Sequence, residues 1–175
     1  FNADYLETDP LGKAEWIKLF GALYCKEELA DSIFREEVKD YNQIRDYVIE
    51  NSEEKPSVLL GLPFKATWFI SPGNSFVSKL IQDAGGSYLW KNTLSSVSMP
   101  YGLENVYIAA LEADFWLNIG TVTTSDEISL VDNRLSDLKC FRNNNLYNNN
   151  KRITPEGGND YWESGTLRPH IILKD

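Results

Sequence analysis

The chain is poor in the side chains that hold metals or act as nucleophiles. Its 175 residues include one histidine, His170, and two cysteines, Cys25 and Cys140. A lone histidine excludes a histidine-based metal centre. A Ser-His-Asp triad would have to use His170, yet no GxSxG turn accompanies it. His170 therefore reads as a surface or partly packed residue. The cysteines lie far apart and show no CxxC spacing. A single disulfide fits that spacing, but two buried free thiols are the simpler reading. Gly61, Gly73, Gly85 and Gly86 fit neither GxGxxG nor GxxxxGK(S/T), so no phosphate loop is expected. No apolar run approaches the ~20 residues of a membrane-spanning helix. Basic residues are scarce as well: 17 against 26 acidic, a net charge of −9 and a pI near 4.7. Such a surface repels a phosphate backbone and disfavours nucleic acid as the partner. The opening FNADYLETDP has no basic region followed by an apolar one. It is expected to be either the start of a cytoplasmic protein or the start of a mature or excised piece.

What is present suits a folded α/β domain. Apolar residues make up 42% and aromatics 13%, ample for a core of one domain's size. Thr8 or Asp9 can cap a helix that Pro10 opens. Trp16, Leu19, Phe20, Leu23 and Tyr24, then Phe34, Val38, Tyr41, Ile44 and Val48, recur at helical spacing. Residues 9–50 thus predict one long helix or two collinear ones, about 60 Å in length at the usual rise. That is too long for a compact domain, so it predicts a bend or a helix reaching outside the domain. Val58 to Leu62 is a continuous apolar run of the kind found in buried parallel strands. Residues 65–73 read as a loop, and Asn74 or Ser75 caps a helix ended by Gly85-Gly86. A short strand over 88–90, a loop over 95–102, a helix over 103–112 and a strand over 114–119 follow. Residues 126–138 are partly helical, Leu146-Tyr147 is a strand between two asparagine triplets that mark turns, 157–168 is a loop, and a last helix starts at Pro169. Alternation of this kind predicts an α/β fold, with a mostly parallel sheet flanked by helices.

Aromatic residues at the expected loops carry the functional signal. Trp68, Phe69, Tyr101, Tyr161 and Trp162 fall after strands or before helices. The loops at the carboxyl ends of strands form the ligand crevice of such sheets. Rings held there can stack on flat ligands, with Lys65, Arg134 or Arg152 meeting anionic groups; alternatively they close small apolar cores under the loops. Asp160 with Glu163, or Glu104 with Glu112, could form an acid/base pair, although abundant carboxylates are usually solvated surface. Glu104 sits in the first turn of its helix, where a carboxylate also serves a purely structural role.

Four stretches together resemble one family. They are DPLGKAEWIKLFGALY running into a long helix, PSVLLGLPFKATWFISPGNSFVSKLIQDAGGSYLW, LENVYIAALEADFWLNIG, and LYNNNKRITPEGGNDYWESGTLRPHIILKD. Their order and spacing are similar to the C-terminal lobe of periplasmic substrate-binding proteins of ABC importers. The class is the one whose two lobes are joined by a rigid helix and which carries ferric siderophores, haem or cobalamin. The resemblance implies an interlobe helix over residues 1–50 and a C-terminal α/β lobe over 51–175. It implies a non-enzymatic carrier, periplasmic and either free or lipid-anchored, that needs no cofactor and hands a metal chelate, first of all a ferric siderophore, to permease subunits in the inner membrane. It places Trp68, Tyr101, Arg134, Tyr161 and Trp162 at the ligand and Glu104 against arginines of the permease. Nothing in the residues calls for more than a monomer. No histidine lies among the cleft candidates, and no cluster of hard metal ligands is visible, so a chelate is expected rather than a bare ion. A rival reading from another class is a small α/β hydrolase acting on glycans through paired carboxylates. A third is an interaction module whose acidic face docks a basic partner.

Overall fold

A computed structural model describes residues 6–174. They form an α/β fold that divides into two compact units. One is mainly helical and gathers α1 (Pro10–Glu15), α2 (Ile17–Leu23), α3 (Glu27–Asn51), α4 (Phe76–Asp83), α8 (Ser164–Leu167) and α9 (Pro169–Lys174). The other spans residues 54–74 and 86–149 and holds every strand found among the described residues. Its elements are β1 (Ser57–Leu60), β2 (Thr67–Ile70), β3 (Ser87–Tyr88), β4 (Met99–Gly102), α5 (Leu103–Ala110), β5 (Phe115–Leu117), α6 (Ser125–Val131), α7 (Lys139–Arg142) and β6 (Leu146–Tyr147), with a 3-10 turn over Asn133–Asp137.

In the helical unit, Asp9 caps α1 by accepting from the backbone N–H groups of Leu11 and Gly12, and Pro10 follows, as expected. The single long helix does not form. The chain breaks at Trp16 and again at Tyr24–Lys26. The second break is a Schellman motif: the Lys26 N–H donates to Gly21 O at 2.7 Å, and Cys25 adopts a left-handed φ of 53°. The motif usually advertises itself with glycine, and here cysteine occupies that position. Cys25 is consequently exposed, contrary to the expectation of two buried thiols, while Cys140 is buried; both are free. Gly21 lets α2 pack tightly on α3, since a Cβ there would meet the Ala30 Cβ at 2.5 Å. The remaining helix, α3, still runs 25 residues, with Glu27 and Glu28 in its first turn favouring the helix dipole. Tyr41, Leu80 and Leu173 form the unit's apolar centre.

The sheet of the second unit has the order β3-β1-β5-β6, all parallel. Val58, Leu59 and Leu60 of β1 are buried, which is why that stretch reads as one apolar run rather than an alternation. Helices α5 and α7 pack beside the strands. Both stretches read as loops on either side of α4 instead contribute strands. β2 and β4 pair antiparallel, with Trp68 opposite Tyr101 and Phe69 opposite Pro100. Trp68 and Ile70 face the core while Phe69 faces out. Four residues are too few for that alternation to show in a sequence, and the pairing partner lies some thirty residues away. Two indoles lock the carboxyl end of β1. Trp68 Nε1 donates to Leu60 O at 2.9 Å, and Trp116 Nε1 donates to Gly61 O at 2.6 Å. Their rings lie 5.7 Å apart. Gly61 takes a φ of +76°, which turns the chain out of the strand.

Candidate functional site

Chain reversal across β1 marks the carboxyl edge of the sheet unit as its ligand edge. From β1 the chain goes to β3 on one side, then crosses back to β5 on the other. Just beyond this edge stand Gly61, the turn bearing Lys65, and Trp90. Lys65 itself is left-handed, with φ 56°, inside a tight turn closed by the Phe64–Thr67 bridge.

The expected site residues meet different fates. Trp68 has no exposed surface. Its indole is spent on Leu60 and on Trp116, so its place is in the core and not against a ligand. The reason is the β2–β4 ribbon, which turns Trp68 inward. Tyr101, its neighbour across the ribbon, is partly exposed and stands edge-on to Trp90, with ring centroids 6.2 Å apart. Trp90 in turn lies 5.9 Å from buried Tyr88, whose hydroxyl donates to Ser71 O. Sequence reasoning missed Trp90 because it counted that residue as part of a strand. The strand ends at Tyr88, and the carboxyl-edge rule, applied two residues further on, points to Trp90. In the helical unit, Tyr161 and Trp162 pack edge to face with centroids 4.7 Å apart, and Trp162 is 65% exposed. The turn that presents them is pinned by Arg152 Nε on Asp160 at 3.0 Å and by the Tyr161 N–H on Asn159 Oδ1.

Arg134 and Glu104 come together in the sheet unit. Arg134 grips Asp132 through Nε and Nη2, at 3.0 and 2.8 Å, and its Nη1 lies 3.6 Å from Glu104 Oε1. The guanidinium holds the Asp132 carboxyl below its ordinary range, and Asp132 pushes the arginine up in return. Glu104 is in the first turn of α5, with its side chain 80% exposed. These three residues border a groove of about 450 Å³ completed by Lys65, Ala66, Gly102, Leu103 and Asn105.

Glu104 and Glu112 are not brought together. Glu104 opens α5 and Glu112 lies beyond its end, about 12 Å apart along the axis. Asp160 is engaged by Ser164 and then Arg152, which keep its carboxyl below the ordinary range, the wrong direction for a general acid. Among the described residues no group of histidine, cysteine or carboxylate side chains is arranged to hold a metal, and no helix is long and apolar enough to cross a membrane. His170 is partly packed: its N–H donates to Glu37 Oε1 at 3.0 Å, and Nδ1 meets Glu37 Oε2 at 2.6 Å.

No protein-family model matches the chain. A solved structure from Staphylococcus epidermidis, named as a possible iron-binding (periplasmic solute-binding) protein, superposes with a TM-score of 0.74 over 97% of this chain at 13% identity. The fold is that of the periplasmic solute-binding proteins. A second protein of this fold, from an ABC-type Fe3+-hydroxamate transport system of Saccharomonospora viridis, matches 92% of the chain at 14% identity and a TM-score of 0.63. By sequence, the chain is 28% identical over 99% of its length to an uncharacterised lipoprotein of Methanocaldococcus jannaschii. In every case it spans only part of the relative: 61% and 52% of the two solute-binding structures and 40% of the lipoprotein.

Proposed function

We propose that the chain is part of the substrate-binding component of an ABC importer, which captures a metal chelate and delivers it to a membrane permease. The observation that carries this reading is the likeness, over nearly the whole chain, to solute-binding proteins named for iron and ferric hydroxamate. A ferric siderophore is the first choice of cargo, with haem or cobalamin next. We assign residues 1–50, with α3 as their main element, to the helix joining two lobes, and 51–175 to the C-terminal lobe. Tyr101 in the sheet unit, and Tyr161 and Trp162 in the helical unit, are exposed or half-exposed rings of a kind suited to planar or conjugated ligands, and each is a candidate to meet the cargo. Arg134, expected at the ligand, has its guanidinium engaged by Asp132 and faces Glu104, and on this reading it is moved from the ligand to the face that meets the permease. A permease arginine opposite Glu104 would form a charge-assisted pair there. The protein acts outside the cytoplasm as a monomer, and the lipoprotein relative supports a lipid anchor.

Tryptophan fluorescence of the full-length protein, titrated with a ferric hydroxamate, haem and cobalamin, tests the reading. Saturable quenching by one of them, diminished in Trp162→Ala, is expected. Absence of saturation with all three overturns it.

A further inference from the structure

Glu104, the residue proposed for docking, is not presented to a partner bare. Arg134 stands over it, and Arg134 is itself fixed from behind. Asp132 accepts three hydrogen bonds from that residue: Nε at 3.0 Å, Nη2 at 2.8 Å and the backbone N–H at 2.9 Å. This fork-on-carboxylate grip sets the plane of the guanidinium. Nη1 takes no part in that grip, and it lies 3.6 Å from Glu104 Oε1. The two acids differ in exposure: the Asp132 side chain is 20% exposed and that of Glu104 is 80%. One anchors the arginine, and the other projects toward solvent from the rim of the groove.

We propose that Arg134 is an internal counter-charge that shields Glu104, so that docking selects a partner whose own guanidinium can take over Glu104 at the mouth of this groove. The proposal rests on the docking role of Glu104 and adds its regulation. A chain carrying a net charge of −9 attracts cationic surfaces of every kind. A fixed arginine beside the docking carboxylate, with Lys65 on the same groove, repels those that approach loosely. Specificity then comes from a built-in repulsive element as much as from attraction. The exchange is easy for the right partner. The Glu104–Arg134 contact is long and solvated, hence weak. Asp132 keeps Arg134 in place when Glu104 turns away, so no buried charge is stranded. The incoming guanidinium can make the close, two-pronged contact with Glu104 that Arg134, committed to Asp132, cannot.

The test uses this chain with 15N label and a tetra-arginine amide peptide as probe, at 150 mM salt, following the Glu104 and Asn105 amides by NMR. The spectra also report whether each variant is folded. Arg134→Gln is expected to bind the probe about fivefold tighter, the scale of a single rim charge. Arg134→Ala should repeat the gain with a different side chain, and Arg134→Lys, which keeps the charge, should stay within about twofold of wild type. The gain should vanish in Arg134→Gln/Glu104→Gln. Unchanged or weaker binding by both neutral variants overturns the shield while leaving Glu104 as the docking residue. If Glu104→Gln alone leaves the affinity of the otherwise native chain unchanged, the docking role itself fails, and the shield with it.

Discussion

The helical and the sheet units solve the same problem, holding distant segments together, by different chemistry. The buried charged or polar residues Glu37, Ser78 and Asp83, found among the described residues, all belong to the helical unit. Glu37 on α3 accepts from the backbone N–H of His170 on α9 and meets its ring Nδ1. Asp83 on α4 accepts from the Tyr41 hydroxyl on α3 at 2.7 Å and pairs with Lys79 at 2.6 Å. The sheet unit instead buries whole indoles and aliphatic side chains, and their few polar atoms donate to backbone carbonyls at or just beyond the strand ends. The difference has a simple origin. Strands are stitched to one another by backbone hydrogen bonds, so their side chains are free to be apolar. Helices spend their backbone groups internally, and short ones such as α8 and α9, at 4 and 6 residues, need side-chain polar contacts to fix where they dock. Burying a charge for that purpose is tolerable only when its partners are in place.

Removing one group from each unit tests the contrast. Trp68→Ala should have the largest effect, a loss of about 4 kcal/mol in urea unfolding, because it opens a cavity beneath the ribbon. A loss under about 1 kcal/mol would show that the sheet unit does not depend on its indole core. Glu37→Ala should cost about 3 kcal/mol, since it strands the α9 N-terminus and His170. Glu37→Gln, still able to accept from the backbone N–H, should cost roughly half as much. Equal losses in the two variants would mean that the charge itself, not the cap, holds α9.

Asp114 gives the sheet unit one polar clasp of its own. Lys139 Nζ at 2.7 Å, followed by the Ser57 backbone and hydroxyl donors, holds its carboxyl down at about 2. A depressed carboxylate stabilises the fold fully above its unfolded value, near 4. That contribution should fade as pH falls from about 4 toward 2. Urea midpoints measured across this range should drop less steeply in Asp114→Asn, and parallel curves would remove Asp114 as a contributor. The smallest effect is expected at Cys25. Replacing it with glycine relieves a left-handed residue at the Schellman position and should stabilise the helical unit by about 0.5 kcal/mol. Destabilisation in thermal melts would show that the thiol makes packing contacts worth more than the strain.

Legibility followed the range of the interactions involved. Asp9 and Ser75 as caps, the parallel strand after Pro56, the helix opening at Leu103 and the Asn144 turn at φ 57° are local matters and could be read from the residues themselves. Three features could not. Break and turn at Cys25 lacked the glycine that normally signals them. The β2–β4 pairing joins stretches separated by a helix and a strand, so Trp68 read as a loop residue and was assigned to a ligand. The clustering of Glu104 with Asp132 and Arg134 depends on how α5 and the 3-10 turn after α6 meet.

By itself, the sequence determined the class of the fold, the charge of its surface and the supply of rings that a stacking site would use. Each is a sum or a short-range pattern, and such quantities survive any rearrangement of the chain. Tertiary structure alone decided which ring is buried and which is presented, which carboxylate is capped and which stands exposed. Those outcomes depend on pairing across tens of residues, where a change of one position in a ribbon exchanges its inner and outer faces.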